Sequence, residues 1–309
     1  ELKRCVKEYS KLWRLGAGFD NWLDSENLFC TTLVDRIVTG YPAAEADALN
    51  NENGYEDKLL VCGEVFGFWA IEGPESLAEK LPFAKCGLPV MVARDITPYK
   101  QRKVRILNGA HTAMVPAAYL AGLDIVRDCM EDADVSAFLK NTLDKEIIPT
   151  LTLPKEELEA FAAAVLDRFK NPFIDHQLLS IALNTTSKWR ARVLPSLKAY
   201  VGQYGVLPKH IAFSFAAYLA LYNGRRLTGD GMACLRGEEE YIIKDDAAVL
   251  AFFMAHQEDG PEELAMAVCA ETAMWGEDLT QIEGFAPAVA QYLAQIRAAG
   301  CREALRGLA

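Results

Sequence analysis

Apolar residues along this chain recur mostly at helical spacing, and the first third alone mixes helical with strand-like runs. Leu2, Val6, Tyr9, Leu12 and Trp13 lie one helical turn apart, so residues 1–24 predict an amphipathic helix that closes near Gly16–Gly18. NLFCTTLVDRIV (27–38) predicts a strand followed by a turn, and the polar, acidic stretch 43–58 predicts a loop. LLVCGEVFGFWAIEG (59–73) and LPVMVARDI (88–96) are rich in β-formers and predict two more strand regions. Pro98 stands where a helix can begin, because its missing amide hydrogen costs nothing in a first turn. From there the helical period dominates over 98–121, 133–147, 154–170, 173–184, 190–203, 208–222, 245–257, 261–275 and 285–308. Pro172, Pro195, Pro208 and Pro261 punctuate these runs. The pattern predicts a mainly α protein, with an α/β piece over 1–95 and an all-helical domain over 96–309.

Composition narrows the function classes. With 309 residues, 51% of them hydrophobic and 24% charged, the chain can bury a sizeable core and is not disordered. A net charge of −11 argues against a nucleic-acid partner, since phosphate binding needs clustered Lys and Arg. No apolar run approaches the roughly 20 residues that cross a bilayer, so no membrane partner is expected. The eight cysteines form no C-x-x-C pair and suit a reducing cytoplasm better than a disulfide framework. The four histidines form no H-x-x-x-H or H-E-x-x-H arrangement, so no metal site is expected and a side chain must handle protons. No leader peptide is visible, and the opening at Glu1 leads us to expect an excised or processed piece. The oligomeric state is not readable.

The most informative phrase is KVRILNGAHTAMVPAAYLAG, which sets Lys103, Asn108 and His111 at K-x4-N-x2-H spacing. On an α-helix with Lys103 at zero, His111 falls near about 80° and Asn108 near about 140°, so one side carries all three. An amine beside an amide donor and an imidazole can hand a proton to a carbonyl oxygen as that oxygen gains charge. A polar seam on a buried helix satisfies the same spacing.

The run RDITPYKQRKVRILNGAHTAMVPAAYLAGLD (94–124) resembles the signature of the long-chain mannitol dehydrogenase family, and its phrasing is most similar to the uronate reductases within it. FCTTLVDRIVTGYP (29–42) is similar to the family's S-x-V-D-R-I-x-P stretch. RFKNPFIDHQLLSIALNTTSKWRARVLPSL (168–197) is similar to its R-F-x-N-P segment and the substrate-side segment that follows. The resemblance runs in order from about residue 1 to about residue 225. It implies a helical substrate domain over 96–309, preceded by the remnant, 1–95, of a Rossmann-type nucleotide-binding domain. It also implies an NAD-dependent oxidoreductase acting on a small sugar acid and interconverting a keto-uronate and an aldonate, such as tagaturonate and altronate. The cofactor would be bound mainly by a region outside this chain, because no G-x-G-x-x-G phrase occurs and cofactor-binding residues are not assignable. The siblings are a fructuronate reductase or a mannitol-type dehydrogenase. A non-catalytic helical interaction domain is the reading from another class.

The resemblance casts Lys103 as acid and base, with Asn108 on the oxyanion and His111 on the reacting oxygen or a substrate hydroxyl. A lysine with an ordinary pKa of about 10.4 needs burial or nearby positive charge to work near neutrality, and Arg102 and Arg105 flank it. Asp35 is expected to orient a substrate hydroxyl or the lysine, with a salt bridge to Arg36 as the plain alternative. Lys188 and one of the two arginines in SKWRAR, Arg190 or Arg192, are expected to hold the substrate carboxylate, with a solvated basic face as the alternative, and Asn171 and His176 are weaker candidates. The sequence departs from the mannitol dehydrogenases at Lys100, where they carry a glutamate that relays protons. A cation there opposes the relay and suits an anionic substrate.

Overall fold

The computed structural model describes residues 1–308 and divides into two compact units, Glu1–Lys100 and Gln101–Ala309. The first unit contains α1 (Leu2–Trp13), α2 (Ala17–Ser25), β1 (Thr32–Asp35), β2 (Val38–Gly40), α3 (Ala46–Asn53), β3 (Cys62–Gly63), β4 (Phe68–Glu72), α4 (Ser76–Lys80) and β5 (Val90–Ala93). β4 is the middle strand of a three-stranded sheet, antiparallel to β1 and parallel to β5, while β2 and β3 form a separate antiparallel pair. Leu33, Ala70 and Ile96 are buried together, with Phe68, Met91, Ala93 and Tyr99 packed around them. The expected single helix over 1–24 is two helices, because Arg14 at φ 55° and Gly16 at φ 80° turn the chain left-handed between them. The stretch 43–58, expected as a loop, contains α3, which ends on Gly54 at φ 77°. Its asparagines and lack of an apolar stripe hide it from periodicity.

The boundary between the units falls within α5 (Thr97–Arg102). A π-helical turn, Lys103–Asn108, follows, and α6 (Gly109–Leu120) continues the same run. Then come α7 (Val126–Glu131), α8 (Ala133–Asn141) with a second π-turn at Thr142–Ile147, α9 (Lys155–Phe169), α10 (Leu178–Ile181), α11 (Thr185–Arg192), α12 (Leu194–Tyr204) and α13 (Lys209–Leu221). A three-stranded antiparallel sheet follows: β6 (Arg226–Thr228), β7 (Gly231–Arg236) and β8 (Glu239–Ile243). The second unit closes with α14 (Ala247–Ala255), α15 (Pro261–Ala270), α16 (Thr272–Trp275), α17 (Phe285–Ala299) and α18 (Cys301–Arg306).

Two helices bury every side and form the centre of this unit. All residues from Gly109 to Tyr119 on α6 and from His210 to Leu221 on α13 are buried, and α13 packs on α6 and α17. Each fully buried Phe or Leu there contributes about 2–3 kcal/mol of transfer free energy. Glu146 fixes the start of α13: its carboxylate accepts the backbone N–H of His210 at 2.9 Å and of Ile211 at 2.8 Å, and lies 2.6 Å from His210 Nδ1. The mainly helical architecture expected for this part is found, with the β6–β8 sheet added to it. That sheet turns on Gly229–Asp230 and Gly237–Glu238 in a segment with no helical period. The run expected over 173–184 is helical only at α10, because Asn171 Oδ1 accepts the N–H of Phe173 in a turn and Asn184 adopts φ 54°. Among the described residues no helix is long and apolar enough to cross a membrane.

Candidate active site

The π-turn changes the geometry expected of the lysine phrase. Gly109 N–H bonds the carbonyl of Val104, five residues back, so each turn here takes in more residues than an α-turn. Residues five apart then lie almost above one another, which brings Lys103 and Asn108 closer into line than α-geometry would. π-Turns of this kind are frequent at functional sites because they re-aim side chains within a rigid helix. Lys103 and Asn108 are half-buried at the two ends of the turn, and His111 follows one turn further on.

His111 is the best-defined member. Its ring stacks on Phe169, with centroids 4.0 Å apart and planes 16° apart, and meets the edge of His176 at 5.4 Å and 82°. The residue is only 6% exposed, and its Nε2 is buried without a hydrogen-bond partner. Burial, above all, holds the imidazole pKa well below 6.5, and the positive charges of His176, Arg192, Arg168 and Lys103 push the same way. His111 is therefore neutral at pH 7. A buried ring nitrogen left unpaired costs about 1–3 kcal/mol, and a substrate hydroxyl or carbonyl would satisfy it.

The second segment of the phrase supplies the other cations. α11 places Lys188 and Arg192 four residues apart on one face. Lys188 Nζ donates to the carbonyl of Ile181 at 2.8 Å, and Arg192 Nη1 donates to Thr112 Oγ1 at 3.3 Å. Thr112 Oγ1 in turn donates to the carbonyl of Asn108 at 2.9 Å, which ties the arginine to the end of the π-turn. The helices meet closely at Gly109, where a Cβ would lie 3.3 Å from the carbonyl oxygen of Arg192. Burial lowers the pKa of Lys188, the charge of Arg192 lowers it further, and Asp245 opposes both. His176 is held below 6.5 by burial and then by Lys188.

The structure thus brings Lys103, Asn108, His111, His176, Lys188 and Arg192 into one neighbourhood. Arg190 is not with them: two positions from either basic neighbour, it leaves the helix about 200° away. Its guanidinium instead donates to the carbonyl of Met274 at 3.4 Å, beside Gly276, and lines a separate cavity of about 330 Å³ with Phe252 and Glu271. Asn171 is engaged in its own turn. Asp35 lies in the first unit, buried at the end of β1, and Arg36 gives its donors to the carbonyls of Phe66 and Val65. Of the arginines flanking Lys103, Arg102 pairs with Glu157 and covers the ring of Phe161, and Arg105 reaches the carbonyl of Pro195. A larger surface cavity of about 840 Å³, between α15 and α17, holds none of these residues. Sequence reasoning missed Arg168 and Phe169, although both stand in the RFKNP phrase it quoted. It also missed Thr112 and Asp245.

The mannitol dehydrogenase C-terminal domain pattern matches residues 95–297, and the mannitol dehydrogenase Rossmann domain pattern matches residues 2–85. The chain belongs to the mannitol dehydrogenase family. It is 46% identical over 310 residues to altronate oxidoreductase of Yersinia enterocolitica, covering 98% of this chain and 62% of that protein. It is 46% identical over 313 residues to altronate oxidoreductase of Shigella flexneri, covering 99% of this chain and 63% of that protein. The chain therefore spans somewhat under two thirds of the length of these relatives. Among solved structures, Pseudomonas fluorescens mannitol 2-dehydrogenase, in a ternary complex with NAD and D-mannitol, superposes with a TM-score of 0.76 at 23% identity. It covers 95% of this chain and 56% of its own. Substrate-free D-sorbitol dehydrogenase superposes with a TM-score of 0.75 at 26% identity, covering 92% and 56%.

Proposed function

We propose that the protein carrying these residues is an NAD-dependent oxidoreductase that interconverts a keto-uronate and an aldonate, with tagaturonate and altronate as the pair. Residues 1–95 are the C-terminal part of its nucleotide-binding domain and 96–309 its substrate-binding and catalytic domain. The observation that carries this reading is the gathering of Lys103, Arg168, Lys188 and Arg192 around two imidazoles whose pKa values are depressed, on a chain of net charge −11. Four cations in one neighbourhood suit a sugar acid better than a neutral polyol. The resemblance to altronate oxidoreductases points the same way.

NAD(H) supplies or receives the hydride. The described residues include no glycine-rich strand-to-helix turn, so no residue here is assigned to its pyrophosphate. In reduction, protonated Lys103 donates to the carbonyl oxygen of the substrate, and Asn108 donates a hydrogen bond to the same oxygen as it becomes negative. His111, neutral and with Nε2 unsatisfied, binds the reacting oxygen or an adjacent hydroxyl, and His176 supports it edge-on. Lys188 and Arg192 hold the substrate carboxylate. In oxidation, neutral Lys103 takes the alcohol proton.

Assaying the complete protein with NADH against tagaturonate, fructuronate and fructose tests the substrate. Tagaturonate is expected to have the highest kcat/KM, and preference for fructose would overturn the reading. Lys103→Ala should lower kcat by at least about a hundredfold, and unchanged turnover would remove the lysine from the mechanism.

A further inference from the structure

Three basic residues on the eight-residue helix α11, Lys188, Arg190 and Arg192, leave it with no acidic residue of its own. The positive end of the helix dipole lies at its start and calls for a negative cap, while Arg190 and Arg192 stand in the last turn, where positive charge is favoured. Asn184, the residue before the helix, is left-handed at φ 54° and makes no side-chain cap. The cap comes instead from a distant part of the chain. Asp245 Oδ2 accepts the N–H of Thr186 at 3.1 Å, the hydroxyl of Thr186 at 2.8 Å and the hydroxyl of Tyr222 at 2.5 Å. Its Oδ1 accepts the N–H of Asp246 at 2.8 Å. The single proton of Thr186 is committed to Asp245, so Tyr218 donates to Thr186 Oγ1 across 2.7 Å. Tyr218 and Tyr222 are buried, and burial raises both phenol pKa values, so both stay donors.

A carboxylate accepting four hydrogen bonds is fixed in place and cannot swing to form a contact ion pair. Neither Lys188 nor Arg192 is ion-paired with a carboxylate among the described residues, and their donors reach only a carbonyl and a hydroxyl. We propose that Asp245 is a positioning residue for substrate recognition: anchored by Thr186 and Tyr222 at the start of α11, it offsets the positive charge of Lys188 while leaving the donors of Lys188 and Arg192 to the substrate carboxylate. The inference rests on the keto-uronate reading of the site. The charged and titratable groups that face Lys188 are Arg192 on its own helix, His176 ahead of α10, and Asp245 after β8. Arg192 and burial favour loss of the Lys188 proton, and only Asp245 acts against them.

The test is steady-state kinetics of the complete protein with its keto-uronate and NADH from about pH 6 to about pH 10. Asp245→Asn is expected to raise KM about tenfold at neutral pH, to leave kcat within about twofold, and to move the alkaline rise of KM down by about one pH unit. Asp245→Ser, which is smaller and also has no charge, should give the same displacement and serves if the asparagine variant folds poorly. Tyr222→Phe keeps the charge and should leave the alkaline rise where it is. If the wild type turns over a keto-uronate but both uncharged variants keep its KM and alkaline rise, the inference is overturned. A rise in KM with no displacement in pH would make Asp245 merely structural and would also overturn it. A wild type that reduces no keto-uronate would instead sink the functional reading beneath it.

Discussion

The imidazole of His111 is the residue on which burial acts most directly. Its folded pKa lies well below 6.5 while its unfolded value stays near 6.5, so below that pH the unfolded chain binds a proton that the folded chain refuses. Stability is therefore intact above pH 6.5 and falls as the pH drops below it, by about 1.4 kcal/mol per pH unit for each such group. Urea unfolding at pH 7 and at pH 5.5 should show the loss, and His111→Gln should flatten the slope. A second expectation separates two arginines that spacing alone treats as equals. Arg192→Ala removes a charged donor from the site and should raise KM for the keto-uronate at least about tenfold, in line with the roughly 1.5–3 kcal/mol of a hydrogen bond to a charged group. Arg190→Ala, whose guanidinium reaches Met274, should leave KM within about twofold. Equal effects in side-by-side kinetics would contradict the placement. The lysine, asparagine and histidine were legible because they sit within nine consecutive residues, where helical geometry alone sets their relation. Asp245 was not legible, because it lies 59 positions along the chain from Thr186, with two helices and a sheet between.

Among the elements, α13 depends on a group outside itself. Its first amides point into a buried environment, and Glu146 from the π-turn at Thr142–Ile147 satisfies two of them as well as His210. Glu146→Ala leaves these donors unpaired in the core and should cost about 3–5 kcal/mol, read as a drop in the urea midpoint. Glu146→Gln keeps an acceptor and should cost clearly less. The helical runs were readable because apolar residues repeat at helical spacing, and their ends were readable where proline or glycine stands. The π-turns were not readable, since a single i→i−5 turn leaves no periodic mark. Nor was the β6–β8 sheet, whose short strands are set by glycine turns instead of a long alternation.

For the whole molecule, charge is the property that composition and structure divide between them. The chain carries 43 acidic and 32 basic residues, yet cations gather where the substrate is proposed to bind. Raising the salt concentration from about 0.05 to about 0.5 M should therefore raise KM for a keto-uronate about threefold while leaving KM for neutral fructose nearly unchanged. Equal responses to salt would remove the electrostatic argument for an acid substrate. The sequence by itself determined the family, the helical bulk and the lysine phrase, because each is written in neighbouring residues and needs no knowledge of distant contacts. Only the tertiary structure decided which cations of α11 face His111, how that histidine loses its affinity for a proton, and where Asp245 is spent. Those outcomes depend on burial and on pairs brought together by packing, and neither is a property of any short stretch of chain.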